Sequence, residues 1–145
     1  METTETILKE NILEFAELKE IKILDEKGAV LLSVNQKHFF KSSWVHMYNG
    51  KFYFSYSTGE SKFIFYATGD NPYGPFTYQG RILNPFAGHT FHHSIREINN
   101  EWYLFYDNSS LSKGINLRSV KVAKIDYTDN GKIIIIDPYG VRRLN

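Results

Sequence analysis

From Trp44 onward, apolar and polar residues alternate in short runs, each closed by turn residues. Trp44 to Tyr48 (WVHMY) and Lys51 to Ser57 (KFYFSYS) flank Asn49-Gly50. Alternation of this kind predicts strands. Asn-Gly supplies the two positive φ angles of a type I′ turn, whose twist suits a hairpin. Phe63 to Thr68 and Phe76 to Leu83 predict two further strands, separated by the loop Asn71-Pro72-Tyr73-Gly74-Pro75. A strand interior does not tolerate that loop's prolines. Asn84 to Thr90 is a second loop. The pattern then restarts, with strands over His93 to Ile98 and Glu101 to Tyr106 around the turn Asn99-Asn100. Leu117 to Ile125 follows, and Asp129-Asn130-Gly131 turns into a last strand, Lys132 to Asp137.

The two hairpins share a register. MYNGKFYFSY begins at Met47 and EINNEWYLFY at Glu97, fifty residues later, so that Tyr53 matches Tyr103 and Tyr56 matches Tyr106 without a gap. Two four-stranded units repeating at this period predict an all-β fold built from propeller blades. The alternative is a plain antiparallel sandwich. Residues 20–40 contribute a turn at Glu26-Lys27-Gly28 between strands over Glu20 to Leu24 and Ala29 to Val34, as part of a third blade. The chain thus reads as a partial β-propeller over 20–145, preceded by an N-terminal segment, 1–19. There Ile7, Leu8, Ile12, Leu13, Phe15, Ala16 and Leu18 permit a short helix by their spacing; the alternative is a tail.

Composition changes this picture little. Aromatic residues reach 16% and charged residues 23%, as expected for a folded, sheet-rich chain. The net charge of +1 argues against nucleic acid as a partner. Residues 1–30 hold eight acids against four lysines. Cysteine is absent, which excludes disulfides and thiolate metal sites. Met1 to Lys9 is polar and acidic, unlike a secretory leader, and no run is long enough to span a membrane, so a cytoplasmic chain without membrane contact is expected.

Several segments resemble glycoside hydrolase family 43. They are WVHMYNGKFYFSYS from Trp44, the loop GDNPYGPF from Gly69, HHSIREINNEWYLFYDNS from His92, Arg118-Ser119-Val120, and the turn at Asp129-Asn130-Gly131. The resemblance runs from about Phe39 to Val141. It implies a five-bladed propeller of inverting enzymes acting on xylan and arabinan, as β-xylosidases or α-L-arabinofuranosidases. Two departures accompany it. The family places its general-acid Glu directly after a Phe-Phe pair, as Phe-Phe-Glu-Ala-Ser-Trp, and Lys41 stands at that position here. The family's general base and pKa-modulating Asp lie on earlier blades, which residues 1–30 do not resemble.

Inverting hydrolysis needs two carboxyl groups about 6.5–9.5 Å apart. A lysine ammonium, ordinarily titrating near 10.4, is a poor proton donor at neutral pH, and losing general acid catalysis alone costs on the order of 10²–10⁴ in rate. Lys41 is therefore expected to be catalytically silent, as a solvated lysine at a strand edge. The resemblance implies that Arg118 holds sugar hydroxyls, for which a planar guanidinium fork is suited; a salt bridge to Asp107 is the structural alternative. It places His92, with His93 second, near the propeller axis and a central calcium; the alternative is a pair of ordinary hydrogen-bonded histidines. His89 completes an H-x-x-H-H cluster that is a weak zinc signal. Trp44 offers a stacking face for a sugar, whereas Trp102, Tyr53 and Tyr103 suit packing between blades. The expected protein is a truncated family member, inactive alone, requiring no cofactor beyond calcium near the axis. The alternative is a non-catalytic module that keeps part of the sugar cleft, Arg118 and His92, and binds xylo- or arabino-oligosaccharides, and a third arrangement has another chain supply the missing blades. An open blade should favour self-association through its exposed edge.

Overall fold

The computed structural model describes residues 3–8, 15–32, 37, 41–58, 63–84, 92–109, 111 and 117–138, with side chains described from Glu20 onward. These residues form ten strands and no helix: β1 (Thr3–Leu8), β2 (Phe15–Ile21), β3 (Ile23–Leu24), β4 (Lys41–Tyr48), β5 (Lys51–Ser57), β6 (Ile64–Gly69), β7 (Phe76–Leu83), β8 (His93–Ile98), β9 (Glu101–Asn108) and β10 (Ser119–Ile125). The expected all-β partial propeller is observed.

The hairpins follow their turn chemistry. Asn49 and Gly50 have φ of 48° and 75°, and Asn99 and Asn100 have 52° and 61°, the left-handed pairs that a type I′ turn requires. The first unit is a five-stranded sheet ordered β3-β7-β6-β5-β4, and the second a three-stranded sheet ordered β10-β9-β8. Strand β3 adds to the first sheet in parallel, Ile23 against Phe76.

The face of the first sheet bearing Tyr53, Ile64 and Tyr66 packs on the face of the second bearing Ile95, Leu104, Tyr106 and Ile125. Its opposite face, with Phe54, Tyr56, Phe65 and Phe76, is covered by Ile21, Ile23 and Leu31. The repeat register gives this arrangement its meaning. Tyr53 is buried in the seam, 3% exposed, while its counterpart Tyr103 lies on the outer face of the second sheet and donates to Glu101. The two sheets therefore pack front to back, as successive blades do. Val120 and Val122, 73% and 55% exposed, share that outer face.

Two expectations are corrected. The described residues of the N-terminal segment form neither helix nor tail: β1 pairs antiparallel with β2, Thr3 opposite Ile21. Thr3, Thr4, Thr6 and Ile7 are β-branched and favour extended backbone, and a hairpin satisfies their hydrogen bonds where a short helix would be marginal. Second, Lys132 to Asp137 is a fourth strand of the second unit only in part: Lys132 to Ile134 folds back on Asp126 to Thr128 through the Tyr127–Ile133 bridge, and the rest leaves for the first sheet. Ile136 donates to the Ile82 carbonyl at 2.8 Å and accepts from the Asn84 amide at 2.8 Å, and the Ile133 amide donates to the Tyr66 hydroxyl at 3.0 Å. The segment is drawn across to the first sheet because Ile133, 5% exposed, is buried in the seam. The expected strand over Ala29 to Val34 is reduced to a bridge between Val30 and Leu24, with 33–36 outside the described residues.

Candidate functional site

Strand direction gathers the candidate residues. The Trp44 indole donates to the Ile95 carbonyl at 2.9 Å, and two residues on, the His46 ring lies 5.0 Å from that of Trp102, which stands opposite Glu97, so β4 and β8 run the same way. Strand β9 is antiparallel to both β8 and β10. Hence β4, β8 and β10 begin, and β5 and β9 end, at one end of the sheets. Lys41, His92, His93, Asp107 and Arg118 all belong to that end.

Lys41 opens β4, an edge strand of the first sheet, and is half-buried. Its carbonyl accepts from the Ser57 hydroxyl at 2.8 Å. A register shift between Lys41 and Trp44, with Ser42 at φ 58°, is a bulge, the device that re-aims a side chain at a strand end. Trp44 is committed to the seam through Ile95, and the Arg96 guanidinium lies 5.3 Å from its ring centre. One face of its half-buried ring is thus taken up by the protein.

Arg118 precedes β10. Its Nη1 donates to Asp107 Oδ2 at 2.9 Å and lies 3.3 Å from His92 Nδ1. The second carboxylate oxygen of Asp107 accepts from the His92 amide at 3.0 Å. The salt bridge foreseen as an alternative role for Arg118 is therefore formed, and it includes His92.

His93 points the other way, as neighbours on a strand must. Its Nε2 lies 2.8 Å from Ser55 Oγ, and burial lowers its pKa to about 4. His46, which the sequence pattern did not single out, is buried beside it in the seam. Its Nε2 and the Tyr127 hydroxyl are hydrogen-bonded at 2.8 Å, and its ring stacks on Tyr53 at 5.0 Å. Burial lowers its pKa to about 4 and raises that of Tyr127, so both are neutral near pH 7. The available signal was the alternation Trp44, His46, Tyr48, which puts His46 on the inward face.

Calcium prefers six to eight oxygen ligands. Among the described residues no group of three or more His, Cys, Asp or Glu could hold a metal ion, and Asp107 is engaged by Arg118. His92 and His93 alone do not fit such an ion. His89 lies outside the described residues. What this end of the sheets can do chemically is present a guanidinium and an imidazole, oriented by a carboxylate, to a polyhydroxyl ligand.

No family model matches the chain. It is 51% identical over 133 residues to a xylosidase/arabinosidase of Bacteroides ovatus, covering 90% of this chain and 41% of that protein. It is 50% identical over 125 residues to a β-xylosidase of Xylanibacter ruminicola, covering 85% and 39%. Among solved structures, it is similar to a GH43 β-xylosidase/α-arabinofuranosidase from a compost microbial metagenome, in complex with xylotriose and in a calcium-free form. That match has 49% identity and a TM-score of 0.89, over 94% of this chain and 42% of the other. A GH43_1 enzyme of Xanthomonas citri, complexed with xylotriose, matches at 47% identity and TM-score 0.89, over 93% and 42%. The chain thus spans about two fifths of the length of these two curated relatives.

Proposed function

Because the chain belongs to glycoside hydrolase family 43, in which it corresponds to a C-terminal portion of the β-propeller, we propose that it carries one wall of a pentose-oligosaccharide cleft without carrying that cleft's proton donor. The relation to xylan- and arabinan-directed hydrolases follows from its relatives. Binding of xylo- or arabino-oligosaccharide by these residues, and their inability to hydrolyse it, are the proposal.

The observation that carries it is the cluster of Arg118, His92 and Asp107 at the end of the sheets where Lys41 opens β4. A planar guanidinium beside an imidazole suits adjacent hydroxyls, donating along two directions in one plane. Lys41 brings an amine where the family carries a carboxyl. A carboxylic acid is what gives the leaving oxygen its proton, and a second carboxylate must activate water. The 145-residue chain therefore recognises sugar and leaves the glycosidic bond intact.

Titration with xylotriose, followed by calorimetry, tests this reading. Saturable heat, reduced when Arg118 is changed to Ala, is expected. Absence of saturation with both xylotriose and arabinotriose would refute it.

A further inference from the structure

We infer that Asp107 is the positioning residue of this cleft, fixing the Arg118 guanidinium in one orientation for the sugar. The inference rests on the reading of Arg118 as a sugar contact.

Asp107 lies near the end of β9, the central strand of the second sheet, and Val120, not Arg118, is its partner across the β9–β10 ladder. Its contacts reach in both directions. Oδ2 accepts from Arg118 Nη1 at 2.9 Å, on the segment entering β10. Oδ1 accepts from the His92 amide at 3.0 Å, on the segment entering β8. The Asp107 amide in turn donates to the His92 carbonyl at 3.3 Å. One side chain thus ties the mouths of two flanking strands to the strand between them.

The exposures are graded to match. The Asp107 side chain is 15% exposed and that of Arg118 38%, while that of His92 is 70% exposed. The anion is inside, the cation and imidazole outside. An ordinary surface pair has both ends in water and little consequence. Here both carboxylate oxygens have a donor, and one of them is charged. An arginine without such an anchor would lose side-chain freedom on binding; one already held loses less and binds more tightly.

The test compares the wild-type chain with Asp107→Asn, Arg118→Lys and the double variant, by calorimetric titration with xylotriose. NMR of the Arg118 side-chain N–H groups runs alongside. Asparagine keeps the shape and the acceptor for His92 but loses the charge. Asp107→Asn should weaken xylotriose binding about tenfold and mobilise the guanidinium, and should add almost nothing in the Arg118→Lys background. A merely structural Asp107 would give the same loss in both backgrounds. Wild-type affinity in Asp107→Asn, or a guanidinium equally mobile in both proteins, overturns the inference. If the wild-type chain binds no xylotriose, the sugar reading fails, and a restrained guanidinium released by Asp107→Asn still establishes the clamp. Should Asp107→Asn not fold, Asp107→Glu, which displaces the charge, is read by the same two measurements.

Discussion

Acid should unfold this protein through His46, and the size of the effect can be worked from its surroundings. The imidazole is buried between Tyr53 and Trp102, each 5.0 Å away between ring centres, and bonded to Tyr127. The titratable groups around it are the tyrosines and His93. Burial holds its pKa at about 4, against 6.5 when exposed. The folded protein therefore binds the proton more weakly than the unfolded chain. The stabilising contribution is fully present above pH 6.5 and is lost as pH falls towards 4. At 1.36 kcal/mol per pH unit, the loss reaches about 3 kcal/mol by pH 4. That is a large part of the 5–15 kcal/mol typical of a domain. Urea denaturation at pH 7, 6, 5 and 4 measures it. The control is His46→Phe, which keeps the ring packing and cannot be protonated. Without the Tyr127 hydrogen bond it should be less stable at pH 7 by about 1–3 kcal/mol. Its stability should fall with acid by about 3 kcal/mol less than that of the wild type. Equal pH slopes in the two proteins would refute the reasoning, because the remaining titrations, chief among them buried His93 with its pKa also lowered to about 4, are present in both.

Two further outcomes follow from the packing. Gly131 has φ +79°, and a methyl there would meet the Tyr53 hydroxyl at 2.8 Å, the same hydroxyl that donates to the Gly131 carbonyl; Gly131→Ala should lower stability by about 1–3 kcal/mol in thermal melts. Val122→Glu, on the open face of the second sheet, should reduce self-association in sedimentation experiments while leaving the melting temperature within a few degrees, and a wild-type chain that is monomeric at high concentration would remove the basis for it.

The hairpins were legible because their instructions are local. Asn49-Gly50 and Asn99-Asn100 need only their own φ preferences, and the gap-free Tyr53/Tyr103 register marked the two units as repeats of one blade. Less legible were segments whose partners lie far away. Residues 132–137 look like a strand, yet Tyr66 and Ile82, more than fifty positions earlier, decide where they go. The N-terminal apolar spacing fits a helix, but a hairpin partner at Phe15–Ile21 decides otherwise. At the site, Arg118 and His92 were visible through the family resemblance, and Asp107 as an ion-pair partner. That one carboxylate joins both could come only from three dimensions. His46 escaped notice because a single polar residue in an alternating strand looks like a solvated one until the second sheet is laid over it.

The central claim is that the cleft persists without its acid, and hydrolysis of aryl β-xyloside and aryl α-L-arabinofuranoside by the 145-residue chain tests it most directly. The account predicts no turnover above the uncatalysed blank, unchanged in Lys41→Ala. Turnover at rates typical of glycosidases, abolished by Lys41→Ala, would contradict it.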